Sequence, residues 1–216
     1  MDLKEQTIAS LKKYETRDEF SYLPALPKAS VLIPLLVKDG QLQVLLNLKV
    51  HAGEVCFPGG KSESSDRNEI DTALREAEEE IGLPPNRVEV VCKLFPVLNK
   101  NGLLITPVVA FIEESFKASP NPHEVSEVFT LPLEFFTKEA DHSCYPVPGA
   151  FGSTHSFIYT DPSTGNIHQI WGLTASLAII VAVFALRKKP EFEIGLNLKD
   201  PVSQFKDVLN QRLSKL

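Results

Sequence analysis

The chain is short of basic charge, of cysteine and of long apolar runs, and each shortage excludes something. Its 22 lysines and arginines are outnumbered by 28 aspartates and glutamates, giving a net charge of −6. No general attraction to nucleic acid or to an anionic membrane surface follows from such a balance. No nucleic-acid partner is expected, and an anionic ligand would need local basic groups or a metal. The three cysteines, Cys56, Cys92 and Cys144, are odd in number, far apart and never in a CxxC pair. That spacing predicts reduced thiols acting as small buried hydrophobes, not a disulfide frame or a zinc site. The longest apolar run, TASLAIIVAVFAL, is shorter than the roughly 20 residues of a membrane span. Arg187, Lys188, Lys189 and Pro190 follow it, so a buried core helix is expected, with no membrane span. The opening MDLKEQTIAS is polar and unlike a secretory signal.

What is present reads as one ordinary domain: 216 residues, 43% hydrophobic and 23% charged. Residues 2–14 suit a short polar helix, and Pro24 and Pro27 close a leader covering residues 1–30. VLIPLLV and LQVLLNL flank KDG as a hairpin. AGEVCFPGGKSESSD is a loop of turn formers. Asn68 to Leu83 reads as a helix ended by Gly82 and blocked by Pro84 and Pro85. The apolar segments VEVVCKLFPVL, LLITPVVAFI and SEVFTLPL read as strands, and SFIYT and HQIWGL flank the turn DPSTGN. Strands mixed with a few helices predict an α/β or α+β class with a sheet covered by helices. The domain spans residues 31–190, and a tail with a helix covers 191–216.

The densest signal is REAEEEIGL, residues 75–83, with four glutamates in five positions. On a helical wheel Ile70, Ala73, Leu74, Ala77 and Ile81 form one buried stripe. Glu69, Glu76 and Glu80 form a second arc beside it. Arg75 lies at i,i+4 from both Asp71 and Glu79, which lets it orient Glu79. Two carboxylates four apart, bordering the core, suit Mg²⁺ or Mn²⁺. Gly59 and Gly60 just upstream permit a sharp turn whose backbone could approach that metal.

FPGGKSESSDRNEIDTALREAEEEIGL resembles the Nudix box, the loop–helix–loop of hydrolases that split nucleoside diphosphates linked to another moiety. Its second half matches at Arg75, Glu76, Ala77, Glu79, Glu80, Gly82 and Leu83. In the first half Asp66 stands where the pattern has glutamate, and one extra residue precedes Arg75. The resemblance implies a mixed central sheet between helices, and a Mg²⁺ or Mn²⁺ held by Glu76, Glu79, Glu80 and the Gly60 backbone. It assigns catalytic roles to Arg75 and Glu79, and to a base outside the box. Glu124 in NPHEVSEVFTLPL is the first candidate for that base, and Glu127 the alternative.

GEVCFPGG, PNPHEVSEVFTLPL and IWGLTASLA further resemble coenzyme A diphosphatases, a Nudix subgroup. That implies coenzyme A and acyl-CoA as substrates, with 3′,5′-ADP and 4′-phosphopantetheine as products. Lys49, His51, Gly53, Phe57 and Lys61 are then the substrate-binding candidates. The subgroup carries two arginines before the glycine equivalent to Gly53. LLNLKVHAGEVCFPGG is about six residues shorter there and keeps only Lys49 and His51 as basic groups. The shortening leaves two alternatives open: an NADH or ADP-ribose diphosphatase, or a catalytically weak nucleotide-binding domain. Ser214-Lys215-Leu216 matches a receptor-read peroxisomal address, so an import receptor and a peroxisomal location are expected.

Overall fold

At the KDG turn Asp39 and Gly40 take positive φ, 50° and 74°, as a two-residue hairpin connection requires. They join β1 (Lys28–Lys38) to β2 (Gln41–Lys49) in antiparallel register, from Leu35 opposite Val44 to Lys38 opposite Gln41. On the far side of Leu35 the two strands part. β3 (Val55–Cys56) then pairs with β2 at Asn47 and Leu48, and β4 (Gly59–Lys61) pairs with β1 at Ala29 to Val31. The glycine-rich loop therefore fills the wedge between the strands. Only glycine fits this close at residue 59, where a Cβ would lie 2.4 Å from the Ser30 carbonyl oxygen.

The structure is a computed structural model that describes residues 2–17, 19–20, 22–146 and 153–215. Helix α1 is Leu3–Leu11, and α2, Glu69–Ile81, follows the wedge. β5 (Val88–Lys93), β6 (Val97–Leu98), β7 (Leu104–Ile112) and β8 (Val125–Pro132) complete the sheet. Among the described residues it has eight strands, along the order β3-β2-β1-β7-β5 with β8 on the outer edge of β2. β1 and β7 run parallel, and the other pairs antiparallel, so the sheet is mixed. VEVVCKLFPVL does not form one strand. It breaks into β5 and β6 around Pro96, which has no N–H for a ladder.

A second, three-stranded sheet holds β9 (His142–Tyr145), β10 (Thr154–Thr160) and β11 (Ile167–Trp171). β9 is not foreshadowed by the strand signals above, since HSCY is mostly exposed and lacks alternation. Helix α3 (Gly172–Leu186) follows, then α4 (Pro201–Leu213).

The large sheet separates two apolar layers. On one face Leu32, Leu36, Leu45, Val108 and Ala110 pack against Ala73, Ala77 and Ile81 of α2. On the other, Ile33, Val44, Leu46, Val109 and Phe111 join Leu11 of α1, most of α3 and Phe205 of α4. The mixed sheet between helices is as expected. α3 is buried along Ala175–Ala185, and among the described residues no helix is long and apolar enough to cross a membrane. The leader and tail join this core. Ser10 of α1 donates to the Phe184 carbonyl at 2.7 Å, Tyr14 stacks on Phe184, and Phe205 stacks on Phe95. The three cysteines are free, as expected, but only Cys92 is buried. Cys56 is half-buried and Cys144 is exposed on β9.

Candidate active site

Helix α2 begins at Asn68, whose side chain accepts from the N–H groups of Ile70 and Asp71 at 2.9 and 3.0 Å. It ends at Gly82 in the left-handed conformation, φ 66°. Its last carbonyls are taken up by a neighbouring loop: Ser119 N–H donates to Ile81 and Asn121 N–H to Glu80, both at 2.9 Å. With Ala73, Ala77 and Ile81 turned into the core, Glu76 and Glu80 come to lie over the wedge between β1 and β2.

Arg75 ties the loop to the helix. Its guanidinium donates to Asp66 through two bonds of 3.0 Å, to the Lys61 carbonyl at 3.0 Å, to Glu76 at 3.0 Å and to Glu79 at 3.2 Å. The contact with Glu79 agrees with the wheel. The contact with Asp71 does not form, because Arg67 pairs with Asp71 at 2.6 Å. Asp66, the departure from the box pattern, replaces it as the principal anchor of Arg75. Thr72 Oγ1 and the Glu63 N–H donate to the same carboxylate, both at 2.9 Å. The guanidinium, above all, holds the Asp66 carboxyl well below the usual carboxylate range. The extra residue of the box lies between this anchor and Arg75.

Glu76 rests on the backbone of Gly60: a Cβ there would lie 2.4 Å from Glu76 Oε1. Glu80 is deeper, 1% exposed. Lys49 Nζ meets its Oε1 at 2.5 Å, and Asn47 Nδ2 donates to its Oε2 at 2.9 Å. Burial pushes both carboxyls up from their ordinary values, while Arg75 opposes the rise at Glu76 and Lys49 at Glu80. The helix thus holds two carboxylates four residues apart, Glu76 half-buried and Glu80 buried, against a desolvation cost that Arg75 and Lys49 offset only in part. A cation is the natural compensation.

The residues fit such a cation in chemistry. Glu76 and Glu80 are hard oxygen donors, the Gly60 backbone lies against one of them, and the buried Asn47 Oδ1 has no hydrogen-bond partner. Among the described residues no three acidic, histidine or cysteine side chains close into a cage. Mg²⁺ needs only one or two carboxylates, because waters and phosphate oxygens complete its shell.

Of the substrate candidates, Lys49 is engaged with Glu80. His51 is exposed in the turn Val50–Gly53, which closes β2 onto β3 through a 3.0 Å bond from Gly53 N–H to the Lys49 carbonyl. Gly53 takes φ 61° there, so its part is a backbone one. Lys61 is exposed, and its carbonyl anchors Arg75. Phe57 is 3% exposed and packs in the core on the face of the sheet away from α2. The short strand β3 alternates, and Phe57 follows it inward. Glu124 is exposed and accepts from Asn121 at 3.1 Å, and its carbonyl receives the Val50 N–H at 2.9 Å. That loop thus sits between the end of α2 and the turn. Glu127 instead faces the second sheet, within 3.3 Å of Asn166 and 3.4 Å of His168. Asn47 escaped the sequence reading. Its signal was the single polar side chain in the apolar run VLLNL, two residues before Lys49.

Comparison with known proteins gives the family. A model described as "NUDIX domain" matches residues 26–148. The chain is 42% identical over 199 residues to the peroxisomal coenzyme A diphosphatase NUDT7 of Mus musculus, covering 89% of this chain and 84% of that protein. It is 41% identical over 174 residues to the mitochondrial Nudix hydrolase 15 of Arabidopsis thaliana, covering 76% of this chain and 61% of that longer protein. Among solved structures, an Ap4A hydrolase binary complex of C. elegans is 18% identical, with a TM-score of 0.46 over 50% of this chain and 82% of that one. The domain match extends across more than half of the chain and the two curated relatives bear the same family's name or activity, so this chain belongs to the Nudix hydrolases.

Proposed function

We propose that the protein hydrolyses the diphosphate linkage of coenzyme A and acyl-CoA, giving 3′,5′-ADP and the corresponding 4′-phosphopantetheine. The observation that carries the reading is the pair of carboxylates four residues apart, Glu76 against the Gly60 backbone and Glu80 buried beside Lys49, a face suited to a divalent cation. Glu76 and Glu80 would hold a Mg²⁺ or Mn²⁺, with Glu79 beside them. When bound, the cation supplies Lewis acidity and a more acidic water. Arg75 orients Glu76 and Glu79 and fastens the loop that presents Gly60. Glu124, at the rim on a loop pinned to the end of α2, takes the proton of the attacking water. Lys49 and Lys61 supply positive charge for the phosphates, and His51 a ring N–H donor.

The substrate class draws on the mouse relative at 42% identity, whose name states that activity. The test is incubation with Mg²⁺ or Mn²⁺ and a panel of coenzyme A, acyl-CoA, dephospho-coenzyme A, NADH and ADP-ribose, with products resolved by chromatography. Preference for coenzyme A over its dephospho form supports the reading. Turnover of NADH or ADP-ribose alone replaces it by the second one. A specific observation favours that second reading: residues 50–53 form a closed turn in which His51 is the basic side chain. Binding without turnover of any substrate would leave a nucleotide-binding domain.

Peroxisomal residence through Ser214-Lys215-Leu216 belongs to the same proposal. Ser214 and Lys215 are exposed beyond α4, while Leu216 lies outside the described residues. Imaging of a tagged protein with and without the tripeptide tests the address.

A further inference from the structure

Glu80 is proposed to hold the metal, yet both of its oxygens already have partners. Oε1 meets Lys49 Nζ at 2.5 Å and Oε2 accepts from Asn47 Nδ2 at 2.9 Å. Each oxygen keeps a further lone pair, but the side chain is 1% exposed, so a cation entering from solvent needs room that the groups packed around it, these partners among them, must give up. Asn47 and Lys49 stand two residues apart on β2, on the same face of the strand. They differ in their freedom to move. Asn47 is fully buried on a strand paired on both sides, and its amide is neutral. The Lys49 side chain is 24% exposed on a four-carbon stem, and its charge repels any second cation brought to the same carboxylate.

We propose that Lys49 and the divalent cation exclude one another from Glu80, so that metal entry releases the ammonium toward the substrate's diphosphate. The proposal rests on the metal reading above. Lys49 balances the buried charge and Asn47 holds the carboxylate in place until the metal takes over. The freed ammonium sits at the end of β2, beside the turn Val50–Gly53, where it becomes a point-charge partner for phosphate oxygens. Lys49 is thus a substrate-binding residue whose two states order the events: metal first, then anionic substrate.

Two measurements on the full chain test this, neither of them an activity. The first is Mn²⁺ titration followed by electron paramagnetic resonance, without substrate, on wild type, Lys49→Met and Glu80→Gln. Removing the competitor should tighten Mn²⁺ about tenfold or more in Lys49→Met, because a charge-assisted hydrogen bond no longer has to be given up. The second is acetylation footprinting of the wild type by mass spectrometry. Mn²⁺ should raise the labelling of Lys49 while the exposed Lys38 stays constant. If Lys49→Met does not fold, the footprint decides alone. Loss of Mn²⁺ in Glu80→Gln, with no gain in Lys49→Met and an unmoved footprint, overturns the exclusion and leaves the metal site standing. Wild-type Mn²⁺ affinity in Glu80→Gln overturns both.

Discussion

Gly60 and Glu76 compete for the same space. An added Cβ would lie within 2.4–2.7 Å of the Glu76 carboxyl atoms, which are the far end of a flexible side chain. Gly60→Ala should therefore fold but push Glu76 out of place, and a displacement near 1 Å costs up to about 10²-fold in rate. A kcat drop of at least about tenfold with a melting temperature near wild type is the expected result. Gly165→Ala is the contrast, since φ there is 74° with open space around it. It should lose about 1–2 kcal/mol of stability from backbone strain and leave kcat alone. For the carboxylates themselves, Glu76→Gln and Glu80→Gln should each lower kcat by about 10²-fold or more while circular dichroism stays native. Near wild-type kcat at saturating Mg²⁺ in either variant would remove that carboxylate from the metal site.

Between elements, the decisive contact joins the loop after β4 to α2 through Asp66 and Arg75. Asp66 is held below its ordinary value mainly by the guanidinium, so its contribution carries the sign of a depressed carboxylate. It is fully present above the unfolded-chain value of about 3.9 and is lost as pH falls through the lower folded-state value. Urea melts of wild type and Asp66→Asn should differ most near pH 7 and converge in strongly acidic solution. A gap that stays constant between pH 7 and pH 2.5 would mean that Asp66 is held by its neutral hydrogen bonds and not by Arg75. The same variant should lower kcat, since Arg75 also bonds to Glu76 and Glu79.

At the scale of the whole molecule, the terminal helices belong to the core that carries the site. Phe205 of α4 is 4% exposed and stacks on the buried Phe95. Phe205→Ala should cost about 3–5 kcal/mol by the transfer and cavity terms of a large aromatic. Deleting residues 214–216 removes only exposed chain beyond α4 among its described residues, so stability should stay within about 0.5 kcal/mol. Chemical denaturation of the two variants side by side checks both. A large loss on truncation would mean that the end of the chain is packed, which would obstruct its use as a receptor address.

By itself the sequence determined the helix of REAEEEIGL, the hairpin at KDG and the buried α3. Each is written in local periodicity or turn chemistry, and Asp39, Gly40 and Gly82 adopt the dihedral angles such signals require. It also determined the family and which glutamates share a face, because i and i+4 on a helix are neighbours in any fold. Partner choice was decided only by the tertiary structure. Asp71 lies within helical reach of Arg75, yet Arg67 takes it and Asp66 takes Arg75, since the loop's path lies outside any helical wheel. Phe57 reads as a loop residue beside a binding motif and becomes core, because β3 turns it to the other face of the sheet. Lys49 and Asn47 sit some thirty residues before the glutamate they hold. Contacts of that span arise from how β1 and β2 part and where α2 crosses the gap, and no local pattern encodes them.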